Sequence, residues 1–176
     1  MLEIAPEGFW IPIVLVLIPL YFANSSAMIF GGGKIQLDFG RHWRDGKPVF
    51  GKGKTWKGAF SGILIGTLVG FILSLGVPAL TVRVTSSYVV LAFLLSLGAI
   101  AGDLAASFFK RRNNLPTGAP VLFLDQLDFV IGGLIFGTPL FMPSFYQAIA
   151  IALITLLVHR AANFLAFKLH LKKVPW

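Results

Sequence analysis

Five stretches of roughly twenty apolar residues run through this chain, and almost no charge falls inside them. They are Phe9–Phe30, Gly58–Leu80, Tyr88–Phe109, Val121–Met142 and Phe145–Phe167. As a helix rising about 1.5 Å per residue, each is long enough to cross the ~30 Å hydrocarbon core of a bilayer. Pro12 and Pro19 lie inside the first stretch and are expected to kink it. Charged residues make up only 12% of the chain and hydrophobic residues 56%. That is about half the charge of an ordinary soluble domain, which excludes a soluble globular enzyme. The same apolar content excludes disorder. With 176 residues there is no room for a large domain outside the membrane. The fold class expected is an all-α integral membrane protein of five transmembrane helices, residues 1–176 forming a single transmembrane domain.

The basic residues say which way the helices run. Fifteen Lys and Arg face seven Asp and Glu, for a formal charge of +8. Seven of the bases sit between the first two stretches: Lys34, Arg41, Arg44, Lys47, Lys52, Lys54 and Lys57. Lys110, Arg111 and Arg112 follow the third stretch, and Lys168, Lys172 and Lys173 follow the fifth, with Arg160 inside it toward the same end. The opposite side holds Arg83 alone. Cytoplasmic loops carry the positive excess, so the N-terminus is expected outside and the C-terminus inside. Met1–Glu7 carries two acids and no base, unlike the basic start of a signal peptide. The absence of cysteine excludes disulfides and thiol chemistry. The expected location is a multi-pass position in the cell membrane, with the functional side facing the cytoplasm.

Glycines recur every fourth residue in the second stretch, at Gly58, Gly62, Gly66 and Gly70. Gly98/Gly102 and Gly133/Gly137 repeat the spacing. Small residues in such rows let helix backbones approach closely. The rows serve either packing within one bundle or pairing of two copies as a homodimer.

Three carboxylates, Asp103, Asp125 and Asp128, lie inside apolar stretches, where an acid costs a few kcal/mol and calls for a reason. Counting from the Lys110 boundary, Asp103 is about 10 Å deep, and Asp125 and Asp128 arrive at a similar depth from the next helix. Asp125 and Asp128, three residues apart, share a helix face. Asp103, Ser107, Lys110 and Arg111 form a second stripe. Clustered anions repel strongly at low dielectric, and a divalent cation with hard oxygen ligands, Mg²⁺, resolves the repulsion. The alternative is ion pairing with Lys110, Arg111 or Arg160.

The segment 31–57 is the one sizeable connector and has no helical or strand period. It holds Asp45-Gly46-Lys47-Pro48 and Gly51-Lys52-Gly53-Lys54-Thr55-Trp56-Lys57-Gly58. Glycine- and lysine-rich chain entering a helix can cradle phosphate with free N–H groups and the positive helix end. It is not a Walker motif, because Pro48 stands where the first glycine of that motif belongs. The segment is expected to be a cytoplasmic phosphate-binding loop, or else a solvated positive-inside connector. Trp43 and Trp56 read as interfacial anchors rather than base-stacking platforms, and no nucleic acid partner is expected. Asn24, Ser25 and Ser26 are polar within the first stretch: they either bond neighbouring helices or, for Asn24 and Ser25, approach a substrate. Arg160 either binds phosphate or neutralises the acids. His42, His159 and His170 show no spacing that suggests a ligand set, and Asp38 could orient the loop's bases.

The run Gly102-Asp103-Leu104-Ala105-Ala106-Ser107-Phe108-Phe109-Lys110-Arg111-Arg112, followed by Leu124-Asp125-Gln126-Leu127-Asp128, resembles the signature of the CTP-dependent phosphatidate cytidylyltransferases. That signature has Ser-x-x-Lys-Arg and then an Asp-x-x-Asp pair. The resemblance is closer to the archaeal branch, the CDP-archaeol synthases, through Asn24-Ser25-Ser26-Ala27, Asp45-Gly46-Lys47 and Gly53-Lys54-Thr55-Trp56-Lys57-Gly58. It spans residues 24–135. The bacterial pattern departs at Asn113–Gly118, where no His-Gly-Gly occurs, and at Gln126, where that pattern has arginine; both favour an archaeal ether lipid.

The resemblance implies a reaction in which CTP and 2,3-di-O-geranylgeranylglyceryl phosphate give CDP-archaeol and pyrophosphate. It implies a catalytic set of Asp103, Lys110, Asp125 and Asp128, with one or two Mg²⁺ on the three acids. Nucleotide and phosphate contacts would come from Lys54, Thr55, Lys57, Ser107, Lys110 and Arg111, with Asn24, Ser25 and Arg160 near the substrate. The isoprenoid chains would lie in grooves between helices. A phosphate monoester is already largely ionised at neutral pH, its second pKa being about 6, so no strong general base is needed. Other readings are a CTP-dependent polyprenol kinase, whose alcohol nucleophile would want a base, and a small ion or phosphate transporter, which would show inverted repeats. A non-catalytic membrane subunit would leave the intramembrane acids unexplained.

Overall fold

The computed structural model describes residues 6–168. Six helices follow one another: α1 Pro6–Ile29, α2 Trp56–Gly76, α3 Pro78–Thr81, α4 Tyr88–Arg112, α5 Leu124–Gly137 and α6 Phe145–Lys168. No strand occurs among the described residues; the segment between α1 and α2 carries two isolated antiparallel bridges, Gln36 with Thr55 and His42 with Pro48.

The helix ends follow from local chemistry. Thr55 caps α2, its hydroxyl accepting the Gly58 N–H at 3.2 Å, which satisfies one of the helix's unpaired first-turn donors. Pro78 follows the end of α2 and opens the one-turn helix α3. Lys110, Arg111 and Arg112 occupy the last turn of α4, where cations complement the negative helix end.

Four helices, α1, α2, α4 and α6, are long and apolar enough to cross a membrane. With α3 as a single turn between α2 and α4, the chain is a multi-pass membrane protein. The stretch expected to span residues 121–142 differs. Only its 14 residues Leu124–Gly137 are helical, a rise of about 21 Å, and the chain continues in turns to Phe141. Apolar composition runs on past Gly137, but Pro139 and Pro143 have no N–H to continue a helix.

The core gathers Ile13, Val16, Leu20, Leu91, Leu95, Phe129 and Ile151. The four glycines of the α2 row are all buried, against α1 and α4. Gly98 and Gly102 of α4 lie against Gly132 of α5. At Gly102 an added Cβ would fall well inside contact of the Asp128 carbonyl oxygen, so only glycine lets α4 and α5 come this close. These rows are therefore taken up within a single chain, and a homodimer would need another surface. Tyr88 also ties helices together, its hydroxyl donating to the Leu15 carbonyl at 2.6 Å.

The bundle has two chemically different ends. At one, Arg83 meets Glu7 at 3.3 Å, and the Gln147 amide donates to the Phe9 carbonyl at 3.2 Å. At the other, the C-terminal ends of α1 and α4, the N-terminal ends of α2 and α5 and the second half of α6 surround a cavity.

Candidate active site

The cavity measures about 810 Å³, within the roughly 300–1,000 Å³ usual for ligand sites. One part of its lining is polar: Asn24, Lys52, Lys54, Thr55, Asp103, Lys110, Asp125 and Asp128. Another is apolar, formed by Ala27, Met28, Ile100, Leu104, Val121 and Leu122. A charged headgroup and a hydrocarbon stem can therefore share it.

Two ion pairs organise the polar part. The Lys54 ammonium lies 2.6 Å from both carboxylate oxygens of Asp103. Lys110 lies 2.6 Å from one oxygen of Asp125, whose other oxygen accepts the Val121 N–H at 2.9 Å. Both pairs are partly buried, so the charges are less screened than on an open surface. Asp128 accepts the Phe129 N–H at 2.6 Å. Asp103 and Asp125 lie near enough to repel it and Lys54 near enough to attract it.

Of the cations the sequence offered to these acids, Lys110 takes that role and Arg111 and Arg160 do not. Lys54, from the basic loop, supplies the second pair. Asp103, Asp125 and Asp128 all line the cavity, and carboxylate oxygens are the kind of donor Mg²⁺ takes. Among the described residues no three His, Asp or Glu side chains stand close enough together to hold one ion. Asp103 and Asp125 are instead each held by a lysine.

The other expected site residues divide. Asn24 and Thr55 line the cavity. Thr55 is committed to structure as well, its hydroxyl donating to the Gly31 carbonyl at 2.7 Å. Ser25, Lys57, Ser107, Arg111 and Arg160 lie outside the lining. Ser107 is buried within the bundle, while Ser25, Lys57 and Arg160 are exposed. Arg111 is buried and turned toward Pro116 and Thr117. His170 lies outside the described residues. Two lining residues carried no expectation of a site role, His159 and Asn163 of α6. Their four-residue spacing, which puts both on one helix face, was the signal available. Arg160, next to His159, points from another face.

The loop is folded. Asp38 is its hub: its carboxylate accepts the N–H groups of Gly40, Phe50 and Gly51 at 3.0, 2.9 and 3.1 Å. Burial alone would raise this acid, but the three N–H donors outweigh it and hold Asp38 below the usual carboxylate range. Asp45-Gly46-Lys47 docks on the end of α4 rather than in the cavity. Lys47 donates to the Arg112 carbonyl at 2.7 Å, and Arg112 Nε lies 2.8 Å from Asp45, an ion-pair contact that is not an aligned hydrogen bond. The Arg112 guanidinium sits 4.5 Å from the centre of the Phe108 ring, on which Trp43 packs edge-on.

The chain has known relatives. A family described as CarS-like, CDP-archaeol synthase, matches residues 9–176. The chain belongs to this family. A CDP-archaeol synthase from Pyrococcus abyssi is 45% identical over 170 residues, covering 97% of each chain. One from Thermococcus gammatolerans is 47% identical, covering 91% of this chain and 92% of the relative. A third, from Methanocaldococcus jannaschii, is 45% identical over 91% of this chain and 93% of its own. A solved structure described as an intramembrane enzyme for archaeal membrane lipids biosynthesis superposes with a TM-score of 0.77 at 32% identity. That match covers 85% of this chain and 91% of the other. Membership makes the chain a lipid-biosynthetic nucleotidyltransferase embedded in the membrane.

Proposed function

We propose that the chain transfers the cytidylyl group of CTP to the phosphate of 2,3-di-O-geranylgeranylglyceryl phosphate, giving CDP-archaeol and pyrophosphate, within the cavity of Lys54, Lys110, Asp103, Asp125 and Asp128. The observation that carries this reading is the cavity's two-sided lining. Lysines and carboxylates share the cavity with apolar helix residues, so a nucleotide, a charged headgroup and its hydrocarbon stem can be held together. The relatives' name gives the lipid and the nucleotide product.

In the reaction, a non-bridging oxygen of the lipid phosphate forms a bond to the α-phosphorus of CTP. The bond from that phosphorus to the bridging oxygen breaks, and pyrophosphate leaves with it. With a second pKa of about 6 the lipid phosphate needs no base at neutral pH. The difficulty is bringing anions together. Lys54 and Lys110 are flexible ammonium groups kept in the cavity by their carboxylates. Polyphosphate, carrying more charge than one carboxylate, recruits them, and the two ammonium groups neutralise the leaving pyrophosphate. Their release frees Asp103 and Asp125, which with Asp128 are the residues that would hold Mg²⁺. When bound, that ion supplies positive charge to the reacting phosphate oxygens. Thr55 caps α2 and fixes its start at the cavity, where the positive helix end favours phosphate.

We further place the cavity on the cytoplasmic side, in a five-span topology with the N-terminus outside. Residues 121–141, helix and turns together, carry the fourth crossing. Support comes from Gln147, at the start of α6, bonding to Phe9 at the start of α1, while His159 and Asn163 line the cavity. The chain must traverse the bundle between Asp125 and Phe145 to reach that far end.

The test uses purified protein in detergent with Mg²⁺, the lipid phosphate and CTP labelled in either its α- or its γ-phosphate. The proposal expects α-label in the lipid and γ-label in pyrophosphate. Label from the γ-position in the lipid would mean a kinase, and no label from either would contradict the reading.

A further inference from the structure

The basic loop and the turn after α4 each supply a rim to the cavity. Residues 51–55 bring Lys52, Gly53, Lys54 and Thr55, and residues 118–122 bring Gly118 through Leu122. One side chain stands between them. Arg111 is only 6% exposed, and no carboxylate pairs with it among the described residues. Its Nη1 donates to the Thr117 hydroxyl at 2.9 Å and its Nη2 to the Pro116 carbonyl at 3.1 Å. Its Nε is buried without a partner. A cation buried at such cost, outside the cavity lining, calls for a use.

Gly51 shows what the other rim does there. Its φ of +94° is a left-handed conformation that glycine adopts without strain. A Cβ at Gly51 would lie 2.9 Å from the Thr117 hydroxyl and 3.7 Å from the Arg111 Cδ. The first rim therefore runs past Thr117 and the Arg111 stem with no room for a side chain between them. From the opposite side the Asp38 carboxylate holds the Gly51 N–H at 3.1 Å.

Both cavity lysines depend on this junction. The Lys54 N–H donates to the Gly51 carbonyl at 3.1 Å, and from that anchored backbone its ammonium reaches Asp103. On the other rim, two residues beyond Thr117, the Ala119 carbonyl accepts from Lys110 at 3.5 Å, and the Val121 N–H holds Asp125.

We propose that Arg111 is a positioning residue, a latch whose forked guanidinium and stem fix the two cavity rims, residues 51–55 and 117–122, against each other so that Lys54 and Lys110 are placed to bind the polyphosphate of CTP. The fork matters rather than the charge alone, because two bonds at a fixed angle define the turn at 116–117 and an ammonium offers no such plane. The proposal rests on the cavity being the CTP site.

The test compares full-length wild type with Arg111→Lys, which keeps the charge and loses the fork, and Thr117→Val, which keeps the shape and loses the acceptor. One readout is amide hydrogen exchange; the other is KM for CTP against kcat. In both variants exchange should rise together in segments 51–55 and 117–122. KM for CTP should rise about tenfold, with kcat within about threefold of wild type, the scale of one lost charge-assisted hydrogen bond. Exchange that rises only around residues 116–118, or in neither segment, overturns the latch. A joint rise in exchange with an unchanged KM overturns its role in CTP binding, as would full rescue of KM by Arg111→Lys. Failure of the wild type to turn over CTP would instead count against the proposed function, and the exchange readout would still decide the latch.

Discussion

Lys54 comes from a loop, and Asp103 lies 49 residues later on α4, yet they meet at 2.6 Å. If the lysine is held there for phosphate rather than for the fold, Lys54→Met should lower kcat/KM for CTP by about 100-fold. Its thermal unfolding in detergent should stay near that of wild type; a large drop in unfolding temperature with normal kinetics would reverse the assignment. Asp38 gives a pH-dependent test. Its folded pKa lies below the ordinary 3.8, so its contribution to stability is present above about pH 4 and is lost as pH falls through the folded value. The gap in unfolding temperature between wild type and Asp38→Asn should therefore shrink on acidification below pH 4; a gap that is independent of pH would contradict it. The acids Asp103, Asp125 and Asp128 were legible from sequence because charge inside an apolar stretch stands out. The partner of Asp103 was not, because an irregular loop has no period from which to read where its side chains go. For the same reason Arg111, adjacent to Lys110 in the signature, gave no sign that it turns away from the cavity.

At the level of helices, the α4–α5 contact sets where Asp128 stands. Gly102→Ala would press a methyl group on the Asp128 carbonyl oxygen. It should cost about 1–3 kcal/mol of stability and lower activity with it. Gly76→Ala, at the end of α2 with nothing within 4 Å of an added Cβ, should change stability by less than about 0.5 kcal/mol. Equal unfolding temperatures for the two variants would contradict this packing argument. The glycine rows were visible as a four-residue repeat, but the repeat alone could not say whether the facing backbone belonged to this chain or to a second copy. The long helices were legible within a few residues because their apolar runs end at charge. The short α5 was not, since Pro139 and Pro143 stop the helix while the apolar run continues, and hydropathy does not register a missing N–H.

For the whole molecule, the proposed topology puts the basic end in the cytoplasm. The chain contains no cysteine, so a single introduced thiol reports its own side. In right-side-out vesicles an impermeant thiol reagent should label Ser86→Cys directly and Arg44→Cys only after lysis; the reverse pattern would invert the topology. On the proposed function, the cytidylyl group moves in the cavity between the helix ends. Asp128, the acid of the three with no lysine pair among the described residues, tests it most directly. The measurement is transfer of α-labelled CTP into the lipid phosphate by Asp128→Asn in the presence of Mg²⁺, beside its thermal unfolding. Transfer should fall by at least about 100-fold with unfolding unchanged. Transfer within about threefold of wild type, less than the ~100-fold scale of one preorganised charge, would contradict it.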